Sequence, residues 1–280
     1  MNIRSVYVYV DGGEKSASTV RSACQIAERF SAGITGFMVV PDVTVIAAEP
    51  EAALMSPKLV EEIQKSSERQ VSAAENVFHA EAGKFDIERD WIEIEATLEG
   101  VRAAVTGVAL YADLIVVGQY DSDAPAETDP ALPQDMVVDS GRPICLIPKS
   151  RPSASFGSNI LIGWNESREA ARAVFDAIPF LSKADKVTVA TILSDREEPA
   201  PDAGKIEQLL ARQGIDASIK TITKKDDEST SDALFRQAEV SGADMLVAGA
   251  YGHFRLREDL FGGVSKSIFD ETRLPTLMSH

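Results

Sequence analysis

Gly249-Ala250-Tyr251-Gly252, nine further residues, and then Gly262-Gly263-Val264-Ser265 form the stretch of this chain whose residue types and spacing best suit chemistry. The first glycine closes the apolar run Met245-Leu246-Val247-Ala248, which reads as a buried strand. The glycine pair opens a short amphipathic stretch with Val264, Ile268 and Phe269 on one helical face. A loop leaving a strand and entering a helix between glycines lets backbone approach a ligand closely. The helix start offers unpaired N–H groups and a partial positive charge, so it suits a phosphate chain. His253 and Arg255 lie inside the loop as candidate phosphate contacts, Arg255 through its guanidinium fork. No Gly-Lys-Ser/Thr follows, so this is not a Walker A loop. Taken alone, the same glycines would also serve tight turns in an ordinary strand-to-helix loop.

The elements that must hold such a loop occur twice. Val6-Tyr7-Val8-Tyr9-Val10-Asp11 matches Ile160-Leu161-Ile162-Gly163-Trp164-Asn165, each a buried strand ending in a short polar residue. Val20, Ala23, Cys24 and Ala27 make a helical stripe, as do Ala171, Val174, Phe175 and Ile178. Second strands are expected at 34–40 and 187–193, and third strands at 91–95 and 217–222. Ala112-Asp113-Leu114-Ile115-Val116-Val117-Gly118 parallels Ala243-Asp244-Met245-Leu246-Val247-Ala248-Gly249. Each half closes on an arginine-and-proline turn and an apolar strand, at 142–147 and 273–278, and 149–158 reads as the linker. Apolar strands alternating with helices indicate βαβ units. The expected fold class is α/β: two tandem doubly wound domains, 1–150 and 156–280, each a five-stranded parallel sheet with helices on both faces. Ligands of such sheets sit beyond the carboxyl ends of the strands where strand order reverses. Asn165 and Gly249 end the strands that would meet there.

Residues 42–90 are longer than their counterpart in the second half. Ser56-Pro57 predicts a helix start, with Ser as N-cap and Pro at the first position. Leu59, Ile63, Val71, Ala74 and Phe78 carry that helix to about Ala82. A solvated helix lying across the domain is the plainer reading; a lid or a partner surface are the others.

The spacing Gly-x2-Gly-x9-Gly followed by a small residue resembles the nucleotide loop of the universal stress protein family. Laid over the repeat, the resemblance covers essentially the whole chain as two tandem copies. It implies ATP, or another adenine nucleotide, in the second half, with Mg²⁺ accompanying ATP. The nucleotide-binding positions it implies are Gly163, Trp164, Asn165, Ile192, Gly249, Tyr251, Gly252, His253, Arg255, Gly262, Gly263, Val264 and Ser265. Asn165 stands where the family has a short acidic residue against the nucleoside, and Asp11 keeps that residue in the first half. Ile192 would lie beside the adenine, and Trp164 reads equally as a core residue. The glycine loop itself departs from the family after its third glycine. ATP-binding members carry Ser or Thr after the third glycine, whereas here Gly263 follows Gly262 and the nearest hydroxyl is Ser265. Family members often pair their last strands across a two-fold axis. This implies an intramolecular pseudo-dimer, with further homodimerisation left open.

The first half departs further. After Gly118-Gln119-Tyr120 the second glycine is replaced by Asp121, and Asp123, Glu127 and Asp129 follow with Pro125 among them. Four carboxylates repel a triphosphate and proline removes an amide donor. A solvated acidic loop is the plain reading, and the first half is expected to be a degenerate copy.

A formal net charge of −16 opposes binding to nucleic acid or an anionic membrane. No run approaches the ~18 apolar residues of a membrane span. The beginning of the chain lacks a signal-peptide layout, so a cytoplasmic location is the default expectation. Cys24 and Cys145 read as small buried hydrophobes. The histidines, His79, His253 and His280, are widely separated, so no metal site is expected, and His79 and His280 read as exposed polar positions. No Gly-x-Ser-x-Gly elbow is present, and no catalytic residue is assigned. The expectation is a nucleotide-dependent binding or signalling module with an unknown protein partner. A slow Mg²⁺-dependent ATPase and a nucleotide-free interaction scaffold stay open beside it.

Overall fold

The computed structural model describes residues 2–13, 15–42, 56–97, 100–120, 131–149, 155–193, 202–251 and 263–280. Gly252, His253, Arg255 and Gly262, the acidic stretch at 121–129 and the linker positions 150–154 lie outside the described residues. Contacts divide the chain into two compact units, Ile3–Ser140 and, with Met1–Asn2, Gly141–His280.

In the first unit the elements are β1 (Ser5–Tyr9), α1 (Ser16–Phe30), β2 (Gly33–Pro41), α2 (Pro57–Ala82), β3 (Arg89–Ala96), α3 (Val101–Ala109), β4 (Leu114–Gly118) and α4 (Leu132–Asp139). Its strands run in the order β3-β2-β1-β4, all parallel. In the second they are β5 (Ile144–Ile147), β6 (Asn159–Gly163), α5 (Arg168–Leu181), β7 (Lys186–Leu193), α6 (Ala203–Arg212), β8 (Ala217–Thr223), α7 (Thr230–Ser241), β9 (Met245–Gly249), α8 (Gly263–Glu271) and β10 (Thr276–Ser279). Here the order is β5-β10-β9-β6-β7-β8. All pairings are parallel except β5 with β10, which is antiparallel. The fold is α/β and doubly wound in both repeats, as the strand–helix alternation predicts.

The Ala-Asp pair that makes the two repeats so alike has a mechanical role. Asp244, just ahead of β9, accepts hydrogen bonds from the amides of Gly157, Ser158 and Asn159 at 2.9, 3.1 and 3.0 Å. Asp113, ahead of β4, accepts from Arg4 and Ser5 at 2.8 and 3.1 Å. In each unit one carboxylate therefore satisfies the loose amides where the first strand begins, and fixes that strand beside the fourth. The apolar runs that follow, Leu114 to Val117 and Met245 to Ala248, are buried throughout.

The long helix α2 starts as its sequence dictates: the Ser56 hydroxyl accepts from the Leu59 amide at 3.3 Å, with proline at the first turn. Its first turns are largely exposed. Its later turns are not, because Val71, Ala74, Phe78 and Ala82 are buried. Glu81 is 7% exposed and sits in the fork of Arg21, at 2.8 and 3.0 Å, with Lys84 at 2.7 Å. The Arg21 hydrogen bonds hold its carboxyl below the ordinary range, against the opposing pull of burial. This stabilisation is complete above the unfolded value of about 4.3 and is lost as pH falls through the lower native value. Replacing Glu81 with Ala should cost about 1–3 kcal/mol at neutral pH, the scale of hydrogen bonds to a charged group. The loss should shrink in acid. Urea unfolding at pH 7 and pH 3 checks this, and an equal loss at both would refute it.

Cys24 and Cys145 are buried free thiols. Burial pushes each up to about 12, helped at Cys24 by the charges of Glu81 and Glu28. Neither is poised as a nucleophile. No helix among the described residues is long and apolar enough to cross a membrane.

Candidate functional site

In the second unit β6 has β7 on one side and β9 on the other, so strand order reverses between β6 and β9. That is the position where open α/β sheets leave a crevice beyond their carboxyl ends. Three adjacent strand ends meet there: β6 with Gly163, Trp164 and Asn165, β7 with Ile192, and β9 with Gly249, Ala250 and Tyr251. The Trp164 amide donates to the Ala190 carbonyl at 2.9 Å, which carries the β6–β7 ladder one residue past the strand. The beginning of α8 joins this edge, because the Tyr251 amide donates to Ser265 Oγ at 2.8 Å. Eight of the residues picked out by spacing or resemblance, Gly163, Trp164, Asn165, Ile192, Gly249, Tyr251, Ser265 and, beside it, Val264, are thus collected at one edge. Gly263 is the first residue of α8 and is exposed. Gly252, His253, Arg255 and Gly262 are the ones outside the described residues.

Packing dictates one of the glycines and crowds another. A Cβ on Gly249 would lie 2.5 Å from the Ala170 nitrogen and 2.6 Å from the Glu169 carbonyl carbon. The first turn of α5 therefore rests directly on the end of β9. A Cβ on Gly163 would meet Leu234 of α7 at 3.3 Å. In the β6–β9 register these two positions face opposite ways, so α5 and α7 cover the two faces of the sheet. Gly263, by contrast, has none of the described residues within 4 Å of an added Cβ.

Asn165 is exposed, and its Oδ1 accepts from the Ser167 amide at 3.2 Å. This short turn leads into the α5 cap, where Ser167 Oγ accepts from the Ala170 amide at 3.1 Å. The carboxamide oxygen is thus occupied locally, and the Nδ2 donors make no hydrogen bond to the described residues. In the first unit Asp11 is engaged more fully. Its Oδ1 accepts from the Gly13 amide at 3.0 Å and from the Ser16 hydroxyl, and α2 lies against Gly12, with Gln70 O 3.4 Å from a Cβ there. The two matched positions therefore have different freedom to bond a ligand.

Trp164 is 9% exposed, and its indole N–H has no partner among the described residues. The hydroxyls of Thr191 and Ser279 are likewise buried and without a partner among the described residues. Ser279 stands opposite Gly249 across β10–β9, and Thr191 follows Ala190, the partner of Gly163. These unused polar atoms share the carboxyl end of the sheet with the glycine loop. Thr191 and Ser279 were not legible as site residues, since a lone hydroxyl in a strand carries no signature of being unpaired.

Tyr251 takes a left-handed backbone, φ 57°, a conformation that costs a non-glycine residue about 1 kcal/mol or more. Its amide bond to Ser265 and its ring stacked on Phe269, 6.1 Å away at 18°, hold it there. Ser265 is 5% exposed, so its hydroxyl works inside the protein as an acceptor for the loop.

Glu169, 3% exposed, lies in the first turn of α5 beside Gly249. Burial pushes its carboxyl up. The Arg168 guanidinium and a backbone N–H overcome this and hold it below the ordinary range, with a smaller contribution from His280. The reading of His280 as an exposed polar position is corrected: the residue is half-buried and its Nδ1 lies 3.0 Å from the Ala250 carbonyl oxygen. His79 is exposed on α2 near Glu75. Among the described residues no three His, Cys, Asp or Glu side chains are grouped to hold a metal ion.

No protein-family model matches this sequence, and no curated protein matches it. Solved structures do. A universal stress protein from Archaeoglobus fulgidus DSM 4304 superposes with a TM-score of 0.71 at 14% identity, over 98% of this chain and 97% of its own. A putative universal stress protein from Pseudomonas aeruginosa UCBPP-PA14 does so with a TM-score of 0.59 at 16% identity, over 99% of this chain and 93% of its own. At such identities the likeness is one of fold. Along nearly its whole length, this chain has the fold of the universal stress proteins.

Proposed function

We propose that the second unit binds an adenine nucleotide, ATP or a relative, at the carboxyl edge of β9, β6 and β7. The protein then acts as a nucleotide-dependent binding module. One observation carries this reading: the start of α8 is hydrogen-bonded to the end of β9 at the point where strand order reverses. The first amides of this helix, which have no intrahelical partner, would then face the crevice. With a net charge of −16, overall attraction cannot supply phosphate affinity, so the grip has to be local. The amides at Gly262, Gly263 and Val264 would hold the phosphates, with those around Gly252 and the side chains of His253 and Arg255. The open space at Gly263 and the free Nδ2 donors of Asn165 fit such a ligand. Asn165 would bond the nucleoside, with Gly163, Trp164 and Ile192 around it. Mg²⁺, where present, would neutralise phosphate charge.

The expected result is one adenine nucleotide per chain. Mass spectrometry of molecules released from denatured protein tests its identity, and calorimetry tests the stoichiometry. Gly252→Asp should abolish binding by placing a carboxylate against the phosphates, and Asp121→Gly should leave it unchanged. Two equivalent sites, or unimpaired binding by Gly252→Asp, would sink the assignment.

A further inference from the structure

We infer that His280 is a positioning residue for the glycine loop, acting through the hydrogen bond from its ring to the Ala250 carbonyl; this rests on the nucleotide-binding reading above. The bond itself is specific. A carbonyl oxygen can only accept, so Nδ1 carries the proton in this bond. Ala250 is the first residue past β9, and two residues later the second loop glycine begins. Its amide is also taken, donating to the Ser279 carbonyl at 2.8 Å. The end of β10 thus grips Ala250 by both its N–H and its C=O.

The neighbouring residues are held as firmly. Gly249 is pressed against the first turn of α5, and the Tyr251 amide is bonded to Ser265 of α8. Three consecutive residues, Gly249 to Tyr251, are therefore fixed from three elements. A loop whose amides must converge on a phosphate gains affinity from being held in advance. The charged groups on elements around the ring are Glu169 with Arg168, and Arg172 with Asp176, on α5, and Lys266, Asp270 and Glu271 on α8; β5 and β9 carry none. Glu169 senses the ring electrostatically.

The repeat supplies an independent argument. β5 and β10 are four residues each, and the residue that follows β10 is His280 where the residue that follows β5 is Pro148. Proline has no ring donor to offer. The half that lacks the glycine loop also lacks the latch.

The test uses the full chain and three variants, His280→Ala, His280→Asn and His280→Phe, with melting curves to establish folding. ATP titration and hydrogen exchange at the Ala250 and Tyr251 amides are the readouts. His280→Ala should weaken ATP binding about tenfold, the weight of one hydrogen bond, and speed exchange at both amides. His280→Asn keeps an N–H donor and should recover most of both. His280→Phe keeps the ring's bulk without the donor and should behave like His280→Ala. If His280→Phe binds and exchanges like wild type, the inference is wrong. Should wild type bind no ATP, the nucleotide reading fails by itself. Exchange then decides the latch: faster in Phe and restored in Asn supports it, and no difference overturns it.

Discussion

Gly249→Ala should lower the stability of the second unit by about 3 kcal/mol and abolish nucleotide binding. The magnitude follows from what the new methyl would strike. Overpacking a core usually costs about 1–3 kcal/mol because side chains shift to relieve it. Here the obstruction at 2.5 Å is the backbone of Ala170, in the first turn of a helix capped by Ser167 and resting on buried Glu169. That turn cannot rotate aside, so either α5 lifts or β9 bends, and both displace the loop. Gly263→Ala is the contrasting variant: none of the described residues lies within 4 Å of the new methyl, and it should unfold with wild-type urea dependence. A Gly249→Ala protein as stable as Gly263→Ala would contradict this account of the strand end.

Phe78→Ala should have the largest effect in the first unit, about 3–5 kcal/mol, as for other fully buried aromatic truncations. Phe78 is fully buried, its ring centre 5.6 Å from that of Trp91 and its edge seated on Gly36. A Cβ on Gly36 would come within 2.6 Å of the ring, so glycine in β2 and phenylalanine in α2 fit as a pair. Truncating the ring leaves a cavity that β2 and β3 cannot close. The later turns of α2 then lose their hold, while the exposed first turns lose little. Urea unfolding with exchange resolved along α2 measures both. Loss under 1 kcal/mol would mean that α2 is not fastened by this residue.

Much of this architecture is legible because it is written in local chemistry. Ser56-Pro57 announces α2 through a cap and a fixed φ, both properties of two adjacent residues. The duplicated Ala-Asp ahead of an apolar run is visible as a match, though its meaning, a carboxylate stapling the first strand, appears only once strands lie side by side. Gly249 was legible as a glycine. Its reason was not, because the close approach comes from a helix some eighty positions earlier. His280 escaped for the same cause. A histidine has no sequence signature of burial, and its partner is defined by which strand lies next to β10. Alignment against Pro148 is the signal that sets it apart.

The antiparallel pairing of β5 with β10 has a consequence for how the chain can be divided. β5 closes the first copy of the repeat in sequence, yet its contacts count it with the second unit. The repeat in the sequence and the unit defined by contacts are therefore out of step by one strand. β10 is buried along all four residues, and without Leu146, Cys145 and Ile144 opposite Thr276, Leu277 and Met278 it would present a bare, apolar ladder to any other strand. A second half cut behind β5 would lose this cover from β10, and one cut ahead of it would keep the cover.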